Sequence, residues 1–91
     1  MSVTVIIPSP LRQFTGNAHA VAATGATAGA VLAQLVADHA GLRDNLLTPA
    51  GQLQPFVHAF LGGKDINSLQ GLATAVPDGG ELLLVQAISG G

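Results

Sequence analysis

Glu81-Leu82-Leu83-Leu84-Val85-Gln86-Ala87-Ile88-Ser89-Gly90-Gly91 closes the chain, and its two halves read differently. Residues 81–87 are dominated by Leu and Val and follow the turn signal Pro77-Asp78-Gly79-Gly80, so they predict a β-strand. The strand runs straight into Gly90-Gly91. Glycine has no side chain and adopts backbone angles closed to other residues, so a terminal pair threads a channel too narrow for anything larger. The reactive group at such an end is the α-carboxylate of Gly91, ionised at neutral pH. A carboxylate oxygen is a competent nucleophile towards the α-phosphate of ATP, which makes the end a candidate for adenylation by a partner and for loading with a new group. Chain ends ordinarily fray in solvent; a buried strand immediately upstream would instead aim this one.

The 91 residues of the chain suffice for one small domain, with a core but no deep catalytic cleft. Only 9% of residues are charged, against roughly 25% in an average globular chain. A domain so poor in charge exposes apolar area, and exposed apolar patches mark contact surfaces. The net charge is −2 and the basic residues are Arg12, Arg43 and Lys64, too few for a stripe that tracks phosphates, so no nucleic acid is expected. Cysteine is absent, which excludes disulfides, thiolate metal ligands and a cysteine nucleophile. His19, His39 and His58 are scattered without ligand spacing, so no metal site is expected. Asp38 and Asp44 fall near helix ends and read as solvated. Ser89 has no accompanying base and reads as a spacer, and the sole lysine, Lys64, reads as an exposed turn residue. Residues 20–37 carry no charge, but they are mostly Ala, Gly and Thr, interrupted by Gly25 and Gly29. That composition argues against a membrane span. Met1-Ser2-Val3 lacks the basic start of a signal peptide, and the expected location is cytoplasmic.

Local patterns supply the remaining elements. Val3-Thr4-Val5-Ile6-Ile7 is a β-branched run stopped by Pro8 and Pro10, hence a strand. A loop with Leu11, Phe14 and Gly16 leads to a weaker strand over residues 19–23, and the two strands are expected to pair as a long-looped hairpin. Thr27 can cap a helix reaching about His39, with Ala28, Val31, Leu32, Leu35 and Val36 on one face and Gly41 as the stop. Leu42, Leu46 and Leu47 predict a short helical turn beneath the domain. Pro55 through Leu61 reads as a third strand. Its alternation places Val57, Ala59 and Leu61 on one face and Phe56, His58 and Phe60 on the other. Gly62-Gly63 is a turn, Asp65-Ile66 a short fourth strand, and Leu69–Leu72 a compact connection. The order β-β-α-β-β-β, with one main helix packed on one face of a mixed sheet of four to five strands, is α+β. No internal repeat and no linker is visible.

This order, ending in a strand that feeds Gly90-Gly91, resembles the ubiquitin-like β-grasp fold, and more narrowly the small sulfur carriers of the MoaD/ThiS family. Those comprise the small subunit of molybdopterin synthase, the thiazole-synthesis carrier and the carrier that feeds a cysteine synthase. The resemblance rests on Leu11-Arg12 and Thr15-Gly16 after the first strand, Gly29-Ala30-Val31 in the helix, and Phe56-Val57 opening strand three. It continues with Gly71-Leu72-Ala73-Thr74, Asp78-Gly79 and the terminal Gly-Gly. It spans essentially the whole chain. The chain departs from the family pattern at Gln86 and Ser89, at Gly62-Gly63-Lys64, and at Glu81, which is displaced by one residue. The cysteine-pathway branch is the nearest in character, the molybdopterin synthase subunit second.

The resemblance implies a protein co-substrate rather than an enzyme. Residues 1–85 would form the domain and 86–91 the tail. A ubiquitin-activating-type enzyme would adenylate Gly91, with ATP and magnesium held by that partner, since this chain has no phosphate-binding fingerprint. Sulfur would then replace AMP to leave a C-terminal thiocarboxylate. The downstream acceptor would be a cysteine synthase or the large subunit of molybdopterin synthase. Gly90 and Ser89 would give access to the partner's channel. If Leu82 and Leu84 point into the core, Leu83 and Val85 point out. Together with Phe56, His58 and Phe60 they would form the docking patch, Phe60 beside Val85; the alternative packs these residues against the loop 42–54. Two other functions stay open at this level: a ubiquitin-like modifier joined through Gly91 to target lysines, and a β-grasp interaction module with an inert tail.

Overall fold

Alternation sets the first strand. In β1 (Ser2–Ile6) Val3 and Val5 are buried while Ser2 and Thr4 are exposed, so one face belongs to the core. The structure is a computed structural model and describes residues 2–86. β2 (Ala20–Thr24) runs antiparallel to β1 with Val3 opposite Ala23 and Val5 opposite Val21. Both strands sit one residue away from the sequence expectation, within the usual uncertainty of strand ends. The hairpin is long-looped as expected, but its connection is wound into a 3-10 helix over Ser9–Thr15 that buries Leu11. Gly16 ends it in the left-handed region at φ 63°, a conformation that suits glycine.

Helix α1 (Ala28–Asp38) begins where Thr27 Oγ1 accepts the N–H of Ala30 at 3.2 Å, a side-chain cap for a donor that the helix itself leaves unpaired. Ala28, Val31, Leu32 and Leu35 are fully buried and Val36 packs at their edge, the face read from helical spacing. The helix closes at His39, the end that its spacing predicts, before Gly41 is reached. Gly41 lies in a following 3-10 turn, Ala40–Leu42, that leads into the short α2 (Arg43–Leu46). Leu42 and Leu46 are driven to zero exposure there. Burying each leucine contributes about 1.5–3 kcal/mol before entropic costs.

β3 spans Val57–Leu61, β4 Lys64–Asp65 and β5 Glu81–Gln86. β3 is shorter than expected because Pro55 and Phe56 form a turn before it. β4 lies one residue early, and Ile66 instead opens a 3-10 turn and joins the core. The sheet order is β2-β1-β5-β3-β4, with β1 and β5 parallel at the centre and the other neighbours antiparallel. α1 covers the face that carries Val3, Val5, Ala59, Leu82 and Leu84. This is the mixed sheet with one main helix expected of a β-grasp.

The start of β5 is pinned to the start of β1. Gly79 N–H donates to Ser2 O at 2.7 Å, Thr4 N–H to Gly80 O at 2.9 Å, and Ser2 N–H to Asp78 Oδ1 at 2.7 Å. β5 therefore enters the middle of the sheet in one register, with Gln86 opposite Val57. Gln86 is strand, so β5 extends one residue into the stretch assigned to the tail. Ala87 and the residues after it lie outside the described residues.

Candidate functional site

The sheet face away from α1 is built by register. Ile6 on β1 stands opposite Leu83 on β5, Leu83 opposite Phe60 on β3, and Phe60 opposite Asp65 on β4. Ala20 extends the row on the β2 side of Ile6. A transverse row Ala20–Ile6–Leu83–Phe60–Asp65 thus crosses all five strands. In the next rank Val85 faces His58. β5 alternates strictly: Leu82 and Leu84 are buried, while Leu83 and Val85 are 40% and 38% exposed. Among the described residues only Leu69 joins them as a large exposed hydrophobic.

These placements sort the candidate residues. Leu83, Val85, Phe60 and His58 share the outer face. Phe60 pairs with Leu83, and Val85 pairs with His58, so Phe60 and Val85 are diagonal neighbours rather than direct partners. Phe56 does not join them. It sits in the turn before β3 and is half-buried against the core, because strand alternation stops applying where the strand stops. Ile6 is the residue that sequence reading missed. Its signal was the alternation of β1, where Val3, Val5 and Ile7 are buried and Thr4 and Ile6 face the other way.

A polar rim borders the row. His58 Nδ1 lies 3.3 Å from Asp65 Oδ2 across β3 and β4, the two side chains being 40% and 29% exposed. A pair this open to solvent contributes about 0–1 kcal/mol; its effect is to hold the imidazole beside Phe60. Glu81, opposite Thr4, marks the other side. Between the turns Gly62-Gly63 and Pro77–Gly80 an open groove of about 510 Å³ is floored by Phe60 and Leu83.

Gln86 lies at the other end of β5. Leu83 and Gln86 are three strand steps apart, about 10 Å. The residues beyond Gln86 reach at most about 17 Å when extended. Gly91, Gly90 and Ser89 lie outside the described residues. The side-chain oxygen Oε1 of Gln86 is buried and, among the described residues, has no hydrogen-bond partner. Gln86 shares the parity of Leu82 and Leu84, so it faces the helix side, unlike Leu83 and Val85.

Among the described residues no group of three or more His, Asp or Glu side chains is placed to hold a metal ion, and no helix is long and apolar enough to cross a membrane. Among the described residues the arrangement supplies an apolar face with a polar rim on the side of the sheet away from α1.

The sequence profile of the ThiS family matches residues 5–91. The chain is 40% identical over 93 aligned residues to the sulfur carrier protein CysO of Mycobacterium tuberculosis, covering 100% of both. It is 35% identical over 66 residues to the small archaeal modifier protein 3 of Haloferax volcanii, covering 72% of this chain and 71% of that one. The structure superposes on a chain of the BexX/CysO complex of Amycolatopsis orientalis with a TM-score of 0.89 at 34% identity, covering 98% and 99% of the two chains.

Proposed function

The chain belongs to the ThiS family, and we propose that it is a sulfur carrier whose cargo rides on the carboxyl group of Gly91. The single observation that carries this reading is the match, end to end, with a sulfur carrier protein. Carboxylate is a poor acyl donor because its leaving group would be oxide. In the proposed cycle a partner enzyme of the ubiquitin-activating type joins the Gly91 carboxylate to the α-phosphate of ATP and releases pyrophosphate. A sulfur nucleophile then attacks the acyl carbon, AMP leaves, and a thiocarboxylate remains. Magnesium and ATP belong to the partner's site. The carrier supplies the carboxylate oxygen that attacks the α-phosphate, the acyl carbon that later takes sulfur, and the surface that brings both to the partner.

The row Ile6–Leu83–Phe60, with Val85 and His58 beside it, is the docking face in this reading. Apolar contact area of this kind is what an interface core uses, with polar groups at its rim. Docking there leaves the tail root about 10 Å away, so Ser89 and Gly90 enter the partner's channel and Gly91 reaches the nucleotide. A cysteine synthase is the favoured acceptor of the sulfur and the large subunit of molybdopterin synthase the second. The cycle is placed in the cytoplasm.

The test is chemical. The purified chain is incubated with the adenylating enzyme of its source organism, ATP, magnesium and a sulfur donor, and its intact mass is measured. Replacement of one C-terminal oxygen by sulfur is expected. Isopeptide remnants on lysines without any thiocarboxylate would move the chain to the modifiers, the class of its archaeal relative. An unchanged mass would leave it an inert-tailed binding module.

A further inference from the structure

Buried polar atoms are almost always hydrogen-bonded, and an exception calls for a cause. Gln86 Oε1 is such an exception among the described residues, and its position is unusual too. Gln86 is the last residue of β5, it is paired with the buried Val57, and five residues separate it from the carboxyl end. The side chain is only half-buried although its oxygen is covered. An apolar residue of the same length would fill this position without the desolvation cost of an unpaired acceptor.

We propose that the Gln86 carboxamide is a recognition group for the activating partner: docking presents a hydrogen-bond donor, a backbone or side-chain N–H, to Oε1 at the root of the tail. This rests on the carrier reading above and adds a second point of contact to it. The outer face fixes where the domain lies, and the bond to Gln86 fixes the direction in which the chain leaves the sheet. An acceptor that is unpaired among the described residues and paired in the complex favours the complex by the cost it removes. The buried atom without a partner among the described residues is the carbonyl oxygen, an acceptor, so the atom that would satisfy it is a donor. Gln86 is thus a positioning residue, acting on Gly91 through the backbone between them.

The experiment is pyrophosphate exchange with the adenylating enzyme of the source organism, with carrier concentration varied, on the wild type, Gln86→Met and Gln86→Glu. Methionine keeps the length and removes the acceptor; glutamate keeps an acceptor oxygen. For Gln86→Met the expected result is a KM for the carrier raised roughly tenfold or more, kcat within about twofold, and a melting temperature equal to or above wild type. Gln86→Glu is expected to hold KM within about threefold of wild type. An unchanged KM for Gln86→Met would overturn the proposal. So would a fall in its melting temperature accompanied by equal losses in KM and kcat, because the amide would then be structural. If the wild type itself supports no exchange, the carrier reading fails and this inference fails with it; exchange by the wild type with no effect of Gln86→Met removes the inference alone.

Discussion

Leu83 on β5 and Phe60 on β3 are direct cross-strand partners on the face opposite the helix. Each strand contributes its outward residue only because its inward neighbours, Leu82 and Leu84 on one strand and Ala59 on the other, are held in the core. The register of the core therefore dictates the composition of the outer face, and a slip of one residue would exchange the two. The outer face and the hydrophobic core are two readings of one alternation.

Replacing Leu83 with threonine removes apolar area from the centre of the row while keeping a good strand former. Leu83 is 40% exposed, so the stability measured by urea unfolding is expected to move by no more than about 1 kcal/mol. The KM for the carrier in adenylation should rise about tenfold. Equal kcat/KM in variant and wild type would show that the partner docks elsewhere.

Adding one alanine after Gly91 moves the terminal carboxylate by one residue, about 3.5 Å when extended, and places a methyl group in the narrowest part of the channel. Loading with sulfur should disappear from the intact-mass spectrum while the circular dichroism spectrum and unfolding midpoint stay those of the wild type. Retained sulfur transfer would detach the function from the Gly91 carboxyl.

Gly25 joins β2 to α1 at φ 157°, and a Cβ built there would lie 2.7 Å from the backbone N of Val31. Backbone atoms of the first turn of α1 cannot yield as a side-chain tip would. Gly25→Ala should cost on the order of 2 kcal/mol or more, read as a lowered midpoint in thermal unfolding. A neutral result would mean that the β2–α1 junction rearranges freely.

Thr27→Ala removes the acceptor for Ala30 N–H and should lower stability by about 1 kcal/mol. Leu35→Ala, inside the core and at zero exposure, should cost about 2–5 kcal/mol. That is a large share of the roughly 5–14 kcal/mol expected for a domain of this length. Urea titrations at constant m-value would separate the two: a helix cap that cost as much as the core leucine would contradict this ranking.

Much of the fold was legible in the chain. The cap at Thr27, the helical face from Ala28 to Leu35, the turns at Gly62-Gly63 and Pro77–Gly80, and the alternation of residues 81–86 are local signals, carried by neighbours within one turn of helix or two residues of strand. The same locality explains the errors. Strand alternation was carried back to Phe56 because nothing nearby announces that Pro55 and Phe56 turn instead of pairing. Leu11 was visible as apolar in a loop, but not the 3-10 winding of Ser9–Thr15 that buries it.

The sequence by itself determined the order of the strands and the main helix and the core faces of α1 and β5. Tertiary structure alone decided that β5 lies between β1 and β3, and hence that Ile6 adjoins Leu83 and that Phe60 faces Leu83 rather than Val85. It also decided that Gln86 pairs with Val57 with its side-chain oxygen covered and, among the described residues, unpaired. The physical reason is range. Periodicity and capping are settled between residues a few positions apart, whereas strand pairing joins segments from opposite ends of the chain. No local pattern states which edge meets which until the shared core has closed.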